Sequence, residues 1–273
     1  MLLWEVIVLG LVQGLTEFLP VSSSGHLVLT QSLLGVNSPG LLLEIVLHLG
    51  TLISVIIVYW HDVIGLFRGL FSLVSNPRGK RVDRDLNTYR RMIGLLLVGT
   101  IPAAILGLTM EPVFSGLFES PFAVGLAMLL TGVVLFLISR QRAGKRNFRQ
   151  MNWFDALFVG LAQGLAITPG LSRSGMTISG ALSRKLDRET ATRFSFLLSL
   201  PTIAGAAVLQ FVDVLGDVSQ IGDIKLLVAG FLAATLAGIF AIKLLVNVLK
   251  KGRLQYFAYY VWIIGLIAIW RAA

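Results

Sequence analysis

Apolar positions along this chain run in long unbroken stretches; they neither alternate nor recur every third or fourth residue. Continuous apolar runs of about 20 residues read as membrane-spanning helices, because lipid forces every backbone donor and acceptor to be satisfied within the segment. Six stretches have that character: 41–60, 92–109, 122–139, 194–212, 226–247 and 255–271. Two further regions, 1–35 and 153–184, each hold two shorter runs of about 15 residues or fewer, short for a span. The first is broken by Glu17-Phe18-Leu19-Pro20-Val21-Ser22-Ser23-Ser24-Gly25-His26, the second by Thr168-Pro169-Gly170-Leu171-Ser172-Arg173-Ser174-Gly175. Non-helical backbone at membrane depth is tolerated only inside protein or beside a water cavity. Both regions therefore read as re-entrant helical hairpins, with two tilted spans and a polar loop as the alternative. The predicted fold is all-α and integral to the membrane: six transmembrane helices plus two re-entrant hairpins.

Composition agrees and narrows the class. Of 273 residues, 56% are hydrophobic and only 14% charged, against roughly 25% charged in soluble domains. Mean hydropathy is +0.83. With no cysteine, disulfides, thiolate metal sites and cysteine nucleophiles are excluded. The net charge of +9 would suggest nucleic acid as a partner in a soluble protein, but here the basic residues mark loops. Arg68, Arg78, Lys80, Arg81, Arg84, Arg90 and Arg91 lie within 61–91. Arg140, Arg142, Lys145, Arg146 and Arg149 lie within 140–149, and Lys250, Lys251 and Arg253 follow. Stretches 110–121 and 213–224 carry Glu111, Glu119, Asp213, Asp217 and Asp223 and no Lys or Arg. The positive-inside rule places the basic stretches in the cytoplasm and the acidic ones outside. Both termini are then extracytoplasmic, the first hairpin enters from outside and the second from the cytoplasm. Trp60, Trp153, Trp262 and Trp270 fall near span ends, as an interfacial belt predicts. Met1–Pro20 lacks a basic leader and is not read as a signal peptide.

Hairpins entering from opposite faces imply an inverted repeat. Residues 10–25 laid on 160–175 without gaps match at Gly10/Gly160, Leu11/Leu161, Gln13/Gln163, Gly14/Gly164, Leu15/Leu165, Ser22/Ser172, Ser24/Ser174 and Gly25/Gly175. The chain divides accordingly into repeats 1–145 and 146–273, each one hairpin plus three spans, within a single membrane domain. Inverted repeats place a shared site near the midplane, where broken helices meet.

Ionisable residues at that depth are functional candidates, since each costs at least about 2.5–3.5 kcal/mol unpartnered. Glu17, His26 and Arg173 qualify, ringed by Ser22, Ser23, Ser24, Ser172, Ser174 and Thr177. Gly25 and Gly175 each precede a returning helix, whose N-terminal amides and dipole favour phosphate. Two such tips with Arg173 between them would hold a pyrophosphate, because guanidinium forks onto phosphate oxygens. Gln13 and Glu17, four residues apart, share a helix face. Glu17 is a candidate base, orienter of His26, or ligand for an assisting Mg2+ or Ca2+; no all-protein metal cage and no tightly bound cofactor is expected. His26 is the natural proton carrier, and Ser23 lies three residues from it as a candidate nucleophile. Attack by Ser23, by His26 or by water are all open at this level. Structural readings stand beside these: serines bonding their own helix, an Arg173–Glu17 bridge, and Glu44 with His48 pairing only with each other.

Gln13-Gly14-Leu15-Thr16-Glu17-Phe18-Leu19-Pro20-Val21-Ser22-Ser23-Ser24-Gly25-His26 and Pro169-Gly170-Leu171-Ser172-Arg173-Ser174-Gly175-Met176-Thr177 resemble the two signatures of the bacterial undecaprenyl-diphosphatase family, also called bacitracin-resistance proteins. Further similarity runs through Leu47–Leu52, Ile101–Ala103 and Arg193–Pro201, so the resemblance covers essentially the whole chain. It implies a multi-pass enzyme of the bacterial inner membrane that removes the terminal phosphate of undecaprenyl diphosphate, the lipid carrier of cell-wall precursors. The acidic motif falls on Gln13 and Glu17, the serine and histidine on Ser23 and His26, and the phosphate-binding arginine on Arg173 between Ser172 and Ser174. Three positions depart: Gln13 where a second Glu is frequent, Ser24 where Thr is frequent, and Val261 where an Arg is expected. The implied partners are a polyprenyl diphosphate and the membrane, with a second copy of the chain as a further candidate and no nucleic acid. A lipid-phosphate transporter or flippase using the same midplane site is the rival expectation.

Overall fold

The computed structural model describes residues 1–36, 41–75, 84–118, 120–142, 144–215 and 223–272. Among them are twelve α-helices and one 3-10 turn. The first hairpin is α1 (Leu3–Phe18) and α2 (Ser23–Leu34), followed by α3 (Leu41–Val58), α4 (Trp60–Ser75), α5 (Arg84–Thr109), α6 (Glu111–Phe118) and α7 (Pro121–Ser139). The 3-10 turn Phe148–Gln150 leads into the second hairpin, α8 (Trp153–Leu165) and α9 (Arg173–Ser183). After it come α10 (Arg188–Leu215), α11 (Ile224–Lys250) and α12 (Gln255–Ala272).

Among the described residues, five helices are long and apolar enough to cross a membrane: α3, α5, α7, α10 and α11. The sixth expected span is α12, 18 residues long, whose Tyr256, Tyr259, Tyr260 and terminal Arg271 lower its hydropathy below the others. The hairpin helices have 16, 12, 13 and 11 residues. At 1.5 Å per residue they reach about 16–24 Å, short of the roughly 30 Å hydrocarbon core. Their breaks are tighter than the sequence suggests. Glu17 and Phe18 remain in α1 and Ser23 already opens α2, so only Leu19–Ser22 is non-helical; the second break is Ala166–Ser172.

Two helices were hidden in regions read as loops. α4 continues almost directly from α3 and buries Asp62, Gly65, Gly69 and Ser72 while exposing Phe67, Phe71 and Val74. Its buried face packs on α5, where a Cβ at Gly65 would run into the Tyr89 ring at 2.2 Å. The charges and glycines that made 61–75 look like a basic loop are the buried stripe and polar rim of an amphipathic helix. α6 occupies part of 110–121. Of the expected tryptophan belt, Trp60, Trp153 and Trp270 are exposed, but Trp262 packs inward and donates its indole N–H to the Leu129 carbonyl at 3.1 Å.

Matched glycines set the helix packing. On α1, a Cβ at Gly10 or Gly14 would lie 2.6 or 2.4 Å from the Gly230 or Ala234 carbonyl oxygen of α11. On α8, a Cβ at Gly160 would lie 2.3 Å from the Gly99 carbonyl oxygen of α5. Such small-xxx-small seams let membrane helices approach backbone to backbone. Each hairpin therefore docks on a long helix from the opposite half of the chain. Where they interlock, Phe18, Phe194, Phe196, Met92, Leu95 and Ile178 form the fully buried core, with Phe18 edge-on to Phe196 at 5.5 Å.

The second hairpin is also tied to the basic linker. Asp155, fully buried, accepts from Arg146 at 2.5 Å and from Arg184 at 2.9 Å. The backbones of Arg146 and Leu186 pair alongside. Burial alone would raise the Asp155 carboxyl, but donation by Arg146, the Asn152 amide and Arg184 holds it below the ordinary aspartate value.

Candidate active site at the hairpin tips

Each tip is built by the same local device. Ser22 caps α2 by accepting from the Gly25 amide at 3.3 Å, and Ser172 caps α9 by accepting from the Gly175 amide at 3.1 Å. In each tip the capping hydroxyl also pairs with the serine two residues on, Ser24 at 3.3 Å and Ser174 at 3.2 Å. Such caps satisfy amides that helix geometry leaves unpaired. The Gly25 and Gly175 amides expected to meet a ligand are thus taken by the caps. Among the described residues, the first-turn amides of Ser23, Ser24, Arg173 and Ser174 have no protein acceptor.

The tips differ in backbone. Gly170 turns the second with φ +91°, whereas Ser22 itself adopts φ +71° in the first. A non-glycine residue there costs about 1–3 kcal/mol, and such residues cluster at functional sites.

The two tips bind each other. Ser174 donates to the Leu19 carbonyl at 3.1 Å, and the Gly170 amide donates to Ser24 Oγ at 3.2 Å. Thr131 of α7, absent from the expected site, braces the second tip by donating to the Gly170 carbonyl and accepting from the Ser172 amide at 3.1 Å.

Between them lies the charged pair. Arg173 Nη2 meets Glu17 Oε1 at 2.5 Å, with side-chain exposures of 15% and 6%. A carboxylate so far from water needs such partners. Its other oxygen, Oε2, accepts from Ser23 Oγ at 2.7 Å and from Gln13 Nε2 at 2.9 Å. Gln13 Oε1 and Arg173 Nη1 are buried with no hydrogen-bond partner among the described residues. One arginine nitrogen is therefore committed to Glu17 and the other has unused donor capacity.

Ser23 is paired with Glu17 and not with His26, which the sequence spacing had offered as its partner. His26 Nδ1 faces the Ser22 carbonyl at 2.8 Å, and Nε2 faces the Tyr260 hydroxyl of α12 at 2.8 Å. A carbonyl only accepts, so Nδ1 carries the proton and Nε2 accepts from Tyr260. Nor do Glu44 and His48 pair through their side chains. His48 Nδ1 bonds the Glu44 backbone carbonyl at 2.9 Å and turns Nε2 toward Glu17 Oε2 at 4.0 Å, so His48 borders the site. Thr177 does not line it: the hydroxyl is fully buried, donates to the Arg173 carbonyl and pairs with Ser195 of α10 at 2.5 Å. Val261 is fully buried against Val21, Val124 and Met128.

Tyr260 and Thr131 were invisible to motif reading. The aromatic run on α12 resembles an interfacial girdle, and a lone threonine in a span usually bonds its own helix. Only the expected polar contact at neighbouring position 261 pointed toward that stretch of α12.

Matched positions also show a division of labour. Ser23 corresponds to Arg173, Glu17 to Ile167 and His26 to Met176: one hairpin brings acid, hydroxyl and imidazole, the other the cation. Fold and site together define a polytopic all-α membrane protein whose broken helices enclose a buried carboxylate–guanidinium–hydroxyl cluster. The chain belongs to the family described as bacitracin resistance protein BacA, whose profile matches residues 6–267. It is similar to the undecaprenyl-diphosphatase of Alkaliphilus metalliredigens, 48% identical over 269 residues and covering 97% of each chain. It is also similar to proteins of that name from Carboxydothermus hydrogenoformans, 44% identical over 96% of this chain and 95% of the relative, and Halothermothrix orenii, 43% identical over 98% and 97%.

Proposed function

We propose that this protein hydrolyses undecaprenyl diphosphate to undecaprenyl phosphate and orthophosphate, recycling the cell-wall lipid carrier and conferring bacitracin resistance. The observation that carries the reading is Glu17, which holds Ser23 through one oxygen and Arg173 through the other. That places a base on a hydroxyl and a phosphate-binding cation on the same carboxylate. The family and the names of its relatives point to the same substrate.

In this reading the terminal phosphate sits on Arg173 and the free first-turn amides of α2 and α9. Ser23 Oγ attacks the terminal phosphorus as its proton passes to Glu17 Oε2. The bond from that phosphorus to the bridging oxygen breaks, and the lipid monophosphate leaves with the electron pair. Glu17 passes its proton to the departing oxygen. His26 Nε2, unprotonated in the resting site, then takes one from the water that cleaves the phosphoserine, and that proton goes to Ser23 as its oxygen leaves. Ser22, Gly25, Ser172, Ser174 and Gly175 hold the frame. Gln13 donates to the base.

A resident Mg2+ or Ca2+ does not fit these residues. Both Glu17 oxygens are engaged by donors, and the described residues contain no group of three His, Cys, Asp or Glu placed to hold a metal.

Two inverted repeats, 1–145 and 146–273, account for the matched caps and glycine seams. The membrane is the bacterial inner membrane. The basic end, with Arg146, Arg184, Arg193 and Lys250, faces the cytoplasm. Both termini are extracytoplasmic and the tips open outward. The test is orthophosphate release from a polyprenyl diphosphate by purified protein in detergent, with no membrane barrier to cross. Release supports the reading; a carrier would release none.

A further inference from the structure

The active constellation reaches beyond the two hairpins to the last helix. His26 and Tyr260 are 234 residues apart in sequence, yet their rings stack at 5.5 Å with 10° between planes, and the tyrosine hydroxyl lies 2.8 Å from Nε2. On the other side of the ring, Nδ1 is spent on the Ser22 carbonyl at 2.8 Å. Neutral imidazole in water prefers its proton on Nε2, so this arrangement enforces the less favoured tautomer and keeps Nε2 as the acceptor. Among the described residues no carboxylate or cation forms an ion pair with His26. From α7 the nearest neighbour of the adjacent Gly25 is the Met128 thioether. The Ser22 and Val21 carbonyls and the Tyr260 hydroxyl are therefore the polar groups that face this ring.

We propose that Tyr260 is a positioning residue of this site, acting through His26: its hydroxyl reserves Nε2 for proton transfer. The neighbouring Val261, where relatives were expected to carry a charged residue, is sealed in apolar packing. α12 thus makes its polar contribution here through position 260. The proposal rests on the phosphatase reading for its kinetic consequence, though not for its structural one.

Tyr260→Phe separates the two, because it keeps ring and stacking and removes only the O–H···N bond. In the full chain purified in detergent, kcat for polyprenyl diphosphate hydrolysis should fall about tenfold. KM should move less than about twofold, since the lost interaction lies on the proton-transfer side of the site. Nitrogen-15 NMR of histidine-labelled protein, with the His26 signals assigned by His26→Gln, gives a readout that packing alone would not move. The wild type should show the Nδ1–H tautomer with a hydrogen-bonded Nε2, and Tyr260→Phe should move the Nε2 resonance toward that of a free acceptor nitrogen. Unchanged kcat together with an unchanged Nε2 resonance overturns the proposal. If the wild type releases no orthophosphate, the phosphatase reading fails while the Nε2 resonance still decides for or against Tyr260.

Discussion

Glu17 and Arg173, 156 residues apart, meet at 2.5 Å between the two hairpin tips. Neither residue is tolerable at that depth without the other: a lone buried charge costs several kcal/mol. The same contact brings the proposed base and the proposed phosphate ligand into one site. It is at once the latch between the hairpins and the centre of the proposed chemistry.

That double role predicts how Arg173→Lys behaves. Lysine keeps the charge and can still pair with Glu17, but it lacks a second nitrogen for phosphate. Orthophosphate release should fall about 10²–10³-fold with little change in folded yield. Activity near wild type would show that the unused Nη1 is not a substrate contact.

Ser23 and Glu17 should act as a unit. Ser23→Ala and Glu17→Gln are each expected to lower kcat about 10²–10⁴-fold. The double variant should be no more than a few fold worse than the poorer single one, because groups serving one step are not additive. Multiplying losses would mean that the hydroxyl and carboxylate serve separate steps.

At the glycine seam, Gly160→Ala would force a methyl onto the Gly99 carbonyl, a backbone atom that cannot step aside. The second hairpin should loosen, with a loss of about 1–3 kcal/mol visible as a lower thermal midpoint in detergent. Gly205→Ala in α10, with open space around it, is the contrast: no loss, and a small gain from a better helix former.

Asp155 predicts an acid-sensitive anchor. Its carboxyl is held below the ordinary value in the folded state. Its contribution is therefore complete above the unfolded pKa of about 4 and lost as pH falls through the lower folded value. Asp155→Asn should cost about 2–3 kcal/mol at neutral pH, a buried-pair penalty discounted for two arginines about a third exposed. The gap to wild type should close on acidification; a constant gap would mean the ion pairs contribute nothing.

Much of this was legible because its physics is local. A helix in lipid must be continuously apolar, so the span positions follow from composition along the chain. A serine cap reaches only three residues, so the paired Ser-x-Ser-Gly breaks announced both tips and their kinship. Buried charge is costly anywhere, which singles out Glu17, His26 and Arg173 from the sequence alone. Where local rules mix, reading failed: α4 carries enough glycine and charge to pass for a loop, and becomes a helix face only against Tyr89 of α5.

The amino-acid sequence by itself determined the membrane class, the two broken hairpins and the residues with chemistry to offer. Which of them touch was decided by tertiary structure. Ser23 sits as near His26 in sequence as a helical turn allows, yet it bonds Glu17, while His26 bonds a tyrosine from the far end of the chain. Those pairings depend on how each helix is rotated and how closely the glycine seams draw the hairpins in. Rotation and approach are properties of the packed bundle, and no local periodicity encodes them.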